Sequence, residues 1–350
     1  MSKQQSQNEH SGARTRKGSG IFRIVALIAV IVSIGFAWNW AWQQAAQKLD
    51  AAATVQIEKW NDAGIEITCP NRLVIGFPFR IGIHCDSLSV FDTVRSLKIE
   101  AGELRSAAQF YKPGHAIAEL DGPLLSEFPG GEKTVTTWEN LKASIVVGLG
   151  GWQRISVEAS APKGSGTLPG PQPFDLWADN IQLHARIPDD GSDTNSLDVA
   201  FSASNLSLES RVRIPTVGMA GNLRLDQIAN QLHPGFKVEP FLRQSGLSGK
   251  IGELALEPAA GGRFSVSGPF SVSATGLLSG KLTLAFTDAA QLMAFATAAG
   301  GDDNLIAQAG QILAMIPASG NGGARKITLV IEDGVVSAGF FKLGEIPPLF

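Results

Sequence analysis

The sequence predicts a mainly β fold: an N-terminal transmembrane helix leading into a large, curved antiparallel β-sheet domain with a few short helices. Three observations carry this. One uncharged, nearly apolar run stands close to the N-terminus, from Ile24 to Ala37 and on to Trp42. Beyond it, apolar and polar residues alternate with period two in segment after segment, which marks a sheet with one apolar and one polar face. Glycine is abundant, 39 of 350 residues, and punctuates those segments with turns. The composition also excludes several classes. Apolar residues make up 44% and charged ones 17%, so most of the chain is not disordered. The formal charge of −3 offers nothing to nucleic acid. Two cysteines rule out a disulfide-rich mini-protein, an iron–sulfur protein and a four-cysteine zinc site.

Residues 1–20 are polar and read as a disordered tail. Residues 21–42 follow as the membrane anchor: nineteen helical residues at ~1.5 Å each span about 29 Å, close to the ~30 Å hydrocarbon core. Lys3, Arg14, Arg16, Lys17 and Arg23 precede or open this run against the single acid Glu9, a net +4. By the positive-inside rule the N-terminus stays cytoplasmic and residues 43–350 are exported. Trp38, Trp40 and Trp42 sit at the far end, where an aromatic belt is expected. The alternative is a cleaved signal peptide. Ala41, Ala45 and Ala46 supply small residues, but no turn-forming region separates them from the apolar run. The exported part carries 24 basic and 31 acidic side chains, a net −7.

Residues 43–62 are rich in helix formers, with Gly64 as a stop; they either continue the membrane helix or pack under the first strands. Alternation then takes over. Within Asp175–Ile187, Leu176, Ala178, Ile181, Leu183, Ala185 and Ile187 fall on two short registers. Ser196–Phe201, Leu206–Leu208, Leu247–Leu256, Arg263–Val266, Lys281–Phe286 and Lys326–Val330 repeat the pattern. Asp333-Gly334 is a strong hairpin signal. Asp121-Gly122-Pro123 and the Gly/Pro cluster at 162–173 read as breaks, with Gly164–Gly170 as a flexible connection. Helices are expected at Asp288–Ala299 and Asn304–Ile316, and as short crossings at Leu225–Leu232 and Glu239–Gln244. Some fifteen to eighteen strands are too many for a small sandwich and suggest one long sheet curled over on itself.

Signs of chemistry are few. Cys69 and Cys85 stand 16 residues apart around CPNRLVIGFPFRIGIHC. In an exported domain they fit a disulfide stapling a hairpin whose turn is Gly76-Phe77-Pro78-Phe79; two free thiols, or a metal held with His84 and Asp86, are the alternatives. His84 and Cys85 point to opposite faces of a strand, which makes a shared metal awkward. His10 falls in the tail, His115 in a turn after Pro113-Gly114, His184 on a polar strand face beside Gln182 and Arg186, and His233 in a break. No two have ligand spacing. Asp189-Asp190 and Asp302-Asp303 read as solvated turns or caps. There is no nucleophile elbow, phosphate loop or zinc-protease motif, so no catalytic residue, metal or cofactor is expected.

The anchor, Trp60 and Gly64, Cys69-Pro70, Gly76-Phe77-Pro78-Phe79-Arg80, Cys85, the strand pair from Gly268-Pro269-Phe270 through Phe286, and the ending Asp333-Gly334…Leu343-Gly344-Glu345-Ile346-Pro347-Pro348-Leu349 together resemble domain-of-unknown-function family 2125, found in Gram-negative alphaproteobacterial envelopes. That resemblance implies a single-pass inner-membrane protein with its C-terminal domain in the periplasm. It implies no established activity. At fold level it is similar to AsmA-type envelope proteins, in which an anchored β-rich groove is thought to handle lipids. Two functions follow as expectations. One is lipid binding or transfer through an apolar groove, lined by Phe264, Val266, Phe270, Val272, Leu282, Leu284 and Phe286 on adjacent hairpin strands. The other is a scaffold or assembly factor that docks envelope proteins. Whether the apolar face is an open groove or a closed core stays open at this point.

Overall fold

A computed structural model of the chain describes residues 19–148, 151–170, 172–188, 195–210, 213–232, 238–301, 306–307, 310–311, 313, 316–317 and 324–350. The tail through residue 18 with His10, the pairs Asp189-Asp190 and Asp302-Asp303, His233 and most of Asn304–Ile316 lie outside these residues.

Helix α1 (Ser19–Asp62) runs 44 residues without interruption, about 66 Å at ~1.5 Å per residue. The apolar run and the helix formers of residues 43–62 form one rod, because no glycine or proline falls between Trp42 and Asp62. It ends where expected, on Gly64 at φ +84°, a left-handed turn that glycine adopts freely. Its membrane-length span carries no buried residue. Further on, Trp38 and Trp42, four residues apart and so on one helix face, donate their indole N–H groups to the carbonyls of Pro78 and Arg80, each at 2.8 Å. Arg72 ties the next turns, donating to Asp50 at 2.9 Å and to Thr54 at 2.6 Å.

Strands β1 (Ile65–Thr68) and β2 (Leu73–Ile75) follow. Six bent pairs come next, the members of each separated by only two or three residues. They are β3 (Arg80–Cys85) with β4 (Leu88–Asp92), β5 (Leu97–Ala101) with β6 (Leu104–Gln109), and β7 (Lys112–Leu120) with β8 (Leu124–Glu127). The others are β9 (Lys133–Thr137) with β10 (Asn140–Gly148), β11 (Gly151–Ser160) with β12 (Lys163–Leu168), and β13 (Gln172–Trp177) with β14 (Asn180–Arg186). The chain continues through β15 (Leu197–Glu209), β16 (Ile214–Leu225), a short 3-10 turn at Ala229–Gln231, α2 (Val238–Ser245), β17 (Leu247–Pro258), β18 (Phe264–Val272) and β19 (Leu278–Phe286). Then come α3 (Ala289–Ala298), β20 (Arg325–Glu332), β21 (Val335–Ala338) and β22 (Phe341–Glu345). Asp288 caps α3, its carboxylate accepting from the Gln291 N–H at 3.0 Å.

All 22 strands among the described residues belong to one antiparallel sheet, curved and not closed. Counting each bent pair once leaves sixteen, within the range the sequence suggested. The bends line up into a crease. One wing runs β2-β3-β6-β7-β10-β11-β14, the other β1-β4-β5-β8-β9-β12-β13, and both pair with β15 along the same edge. Corner residues bond to their neighbours: Gly102 N–H to Asp121 O at 3.0 Å, Glu139 N–H to Ser160 O at 3.0 Å, Ala161 N–H to Asp179 O at 2.7 Å, Asp179 N–H to Ser204 O at 2.9 Å. Left-handed residues Ala161 (φ 46°) and Asn205 (φ 50°) make two of the bends. On the polar side Arg105 clasps the crease, donating to Asp121 at 2.6 and 2.9 Å and pairing with Glu103 at 2.9 Å. This hold keeps the Asp121 carboxyl below its ordinary value. From β15 the sheet continues as a single run through β22.

Two expectations are corrected here. Gly164–Gly170 is not a flexible connection: Lys163–Leu168 is strand β12, paired with both β9 and β13. Its glycines answer a packing need, since a Cβ on Gly166 would stand 2.2 Å from the Lys133 carbonyl. His115 is not in a turn but within β7, opposite Val146 of β10. The Pro113-Gly114 pair misleads because it sits in the first residues of β7, ahead of the pairing with β10 that begins at His115.

The core is thin and follows the crease and the strand ends. Cys85 and Phe286, 1% and 2% exposed, are its largest fully buried side chains among the described residues. Cys69 and Cys85 are bonded to each other, with Cα atoms 5.3 Å apart. They staple the β2–β3 hairpin, whose turn spans residues 76–79 as the sequence suggested. Closing a loop of that size stabilises by about 3 kcal/mol in the chain-entropy model. Cys85→Ser is expected to cost roughly 2–5 kcal/mol in urea unfolding of the full chain in detergent. An unchanged midpoint would show that the staple does not constrain the fold.

Candidate functional site

Residues opposite one another in an antiparallel ladder share a face of the sheet, so the strand registers define the two surfaces. One row runs Ile327–Leu284–Val266–Leu254–Gly221–Phe201–Leu183–Val157–Ala143–Ala118 across ten strands, from β20 to β7. A second runs Phe286–Phe264–Leu256–Met219–Ala203–Ile181–Ala159–Leu141. On the other flank of the first lies Ile251–Leu223–Val199–Ala185–Ile155–Ile145–Ala116. Every position in the three rows is apolar or glycine. At ~4.8 Å per strand, ten strands extend about 43 Å along the sheet, and three alternate rows cover about 14 Å along the strands.

This face is only partly covered. In the first row only Gly221, which has no side chain, is buried; every side chain is at least partly exposed, and Leu183, in the middle of the sheet, is 47% exposed. A sheet sandwiched against a second layer would bury its central row. Phe201 and Leu254 lean over Gly221 from either side, close enough that a Cβ there would meet them at 2.7 and 2.5 Å. The surface is therefore shaped by large side chains closing over small ones. The bulge in β15 does not break it, because Ala203 and Leu206 oppose Met219 and Val217, which are on one face of β16.

Of the seven residues singled out from the sequence, Phe264, Val266, Phe270, Leu282 and Leu284 are half-buried on this face. Val272 (8% exposed) and Phe286 (2%) are part of the core. Phe264 opposes Phe286 and Val266 opposes Leu284, so the hairpin strip forms as expected. The sequence reading assigned only the part on β18 and β19, two of the ten strands, and missed the rest, of which Leu183, Phe201 and Leu223 are examples.

The opposite face is polar, and one row on it is cationic: Arg154–Arg186–Asp198–Arg224–Lys250, on five adjacent strands. These residues, with Ser156, His184 and Asn222, line an open hollow of about 840 Å³. Asp198 accepts from Arg224 at 2.7 Å and from Arg186 at 3.1 Å. The Arg224 bond first, and Arg186 with it, hold the Asp198 carboxyl below its ordinary value against the opposing effect of burial. His184 does stand beside Arg186 on this polar face. His84 lies 3.4 Å from both Asp86 and Glu103, and its cysteine neighbours are engaged with each other. Among the described residues no three His, Cys, Asp or Glu side chains gather in a way that could hold a metal ion.

A family model described as "Uncharacterized protein conserved in bacteria (DUF2125)" matches residues 40–347. The chain belongs to this bacterial family. The match begins at Trp40, so DUF2125 takes in the sheet and the helix that packs on it while leaving out most of the apolar run. No curated protein and no solved structure matches the chain.

The Asp198 pairing has a pH signature. Its folded carboxyl titrates below the ordinary value of 3.8, so its contribution is complete above that value and disappears as acid titrates the folded carboxyl. Asp198→Asn is expected to cost about 1 kcal/mol near neutral pH. The melting difference between wild type and variant should shrink on acidification below about pH 4. A difference independent of pH would show that the ion pair contributes nothing.

Proposed function

We propose that this protein is a non-catalytic, single-pass envelope protein that binds acyl chains on the apolar face of its creased sheet, with lipid as its ligand and no role for nucleic acid. One observation carries the reading: an apolar row crosses ten strands without burying a single side chain. Continuous apolar surface of this extent is rare on soluble domains unless something occupies it. The anchor supports a membrane source for the ligand, since one N-terminal helix is long and apolar enough to span a bilayer. In this reading the +4 tail is cytoplasmic, the helix sits in the inner membrane, and the sheet stands in the periplasm. The likeness to AsmA-type envelope proteins, suggested by the sequence, agrees with a lipid role.

A second reading, docking of envelope proteins, draws on β22. That strand is exposed along its whole length and pairs only with β21 among the described residues. Phe341, its first residue, is 75% exposed. An open strand edge can accept a strand from another chain.

Photo-cross-linking in cells separates the two. A benzophenone amino acid replacing Leu183 should capture phospholipid, whereas one replacing Ile117, 44% exposed on the polar face, should not. Equal capture at both positions, or none at Leu183, would sink the lipid reading. A protein adduct at Phe341 with none of lipid at Leu183 would favour docking. Substitution gives an independent check. Leu183→Asp and Leu284→Asp should leave a folded chain that no longer holds lipid, because water reaches both carboxylates. Phe286→Asp buries an unpaired charge and should unfold the protein. Loss of the melting transition at all three positions would mean a closed core.

Orientation is tested by fusion. A phosphatase that is active only after export should be active when joined after Phe350. An inactive fusion, with a cytoplasmic reporter active instead, overturns the periplasmic placement.

A further inference from the structure

The structure points to a membrane-docking edge on the β domain: we propose that the β2–β3 turn and the β6–β7 turn rest in the headgroup region of the bilayer that α1 enters. This rests on the anchor, not on the acyl-chain reading.

The geometry starts from the tryptophans. Trp38 and Trp42 close the apolar run, at the level where a spanning helix leaves the hydrocarbon. Their indole N–H groups are held by the carbonyls of Pro78 and Arg80. Their rings meet Phe110 and Phe77 edge-on, with centroids 5.1 and 5.6 Å apart. Trp42 is buried at 8% exposure, while Trp40, on the other side of the helix, is 67% exposed. The two turns are thus clamped to α1 at the end of its apolar span, with no linker between.

What those turns present fits a lipid interface. Phe77, Phe79 and Tyr111 are 51%, 63% and 67% exposed, a concentration of aromatic surface that water disfavours and the headgroup layer accepts. Arg80 and Lys112 are exposed beside them, each opposite Gln109 in its ladder. They supply cations for lipid phosphates although the exported part as a whole is acidic. The Gly76-Phe77-Pro78-Phe79-Arg80 sequence then has two tasks: its carbonyls hold the helix, and its rings meet the membrane. The far end of α1 sets the scale. Twenty residues beyond Trp42, about 30 Å on, the helix ends beside Thr93, whose N–H donates to Gly64 O at 2.9 Å. Val94, next to it, is 80% exposed.

The test uses the full chain in phosphatidylethanolamine–phosphatidylglycerol vesicles carrying a spin-labelled phosphatidylcholine quencher. Environment-sensitive fluorophores are attached singly at Phe79→Cys, Tyr111→Cys, Val94→Cys and Val30→Cys. Cys69 and Cys85 are bonded to each other and do not take the label. Docking predicts quenching and a blue shift at 30, 79 and 111, several-fold beyond that at 94. Quenching at 30 with positions 79 and 111 as water-exposed as 94 means that the domain stands off the bilayer, and overturns the proposal while leaving the anchor intact. Equal quenching at 79, 111 and 94 means that the domain lies on its side, and also overturns it. A water-exposed label at 30 removes the anchor and the docking together.

Discussion

Strand β15 is hydrogen-bonded to two different strands along one edge and to β16 along the other, and the shape of the molecule depends on that double engagement. Backbone polar groups have to be paired wherever water is excluded. A long strand that bends keeps its partners only if its neighbours bend at the same level. Six successive strand pairs do so, and the corner-to-corner bonds from Gly102 to Ser204 carry the ladder across the crease. The two wings are the cumulative result of placing every bend in register.

A creased single layer has a second consequence. Buried apolar surface usually comes from pressing two layers together. Here the largest fully buried side chains sit at strand ends, as Cys85 and Phe286 do. Mid-strand residues such as Leu183, Val157 and Leu254 cover one another only sideways. The polar surface behind them is organised instead by charge, with Asp198 shared between two arginines and Arg105 between two carboxylates.

Much of this was legible in the sequence, and the parts that were not share a cause. The long apolar helix, the Gly64 stop, the Cys69–Cys85 staple and the Asp333-Gly334 turn are local, set by residue type within a few positions. The two registers within Asp175–Ile187 were legible too, although their meaning was not: the slip between Ala178 and Ile181 is the crease itself. Residues 88–160 resisted reading because their strands are mostly short, and a corner interrupts the alternation before a register can establish itself. Gly164–Gly170 reads as a loop because a glycine under a neighbouring carbonyl and a glycine in a turn look the same in one dimension. The apolar strip at Phe264–Phe286 was found because its strands are adjacent in the chain. Its extension to Leu183, like the cationic row from Arg154 to Lys250, needs a register between strands far apart in sequence. Exposure itself cannot be read from alternation, since an open face and a covered one have the same period.

The unbroken helix has a dynamic consequence. With no glycine or proline between Trp42 and Asp62, and with Arg72 and two indoles gripping it, α1 offers no hinge on which the sheet could turn. With its apolar span in a bilayer, such a body keeps lateral diffusion and spin about the membrane normal, and gives up most of its tumbling. Much of the orientational entropy lost in any encounter within that membrane is then already spent before the partner arrives. A two-dimensional search at nearly fixed height raises the effective concentration of whatever it meets. Weak contacts, too small to hold two freely tumbling proteins together, can suffice for a chain mounted in this way.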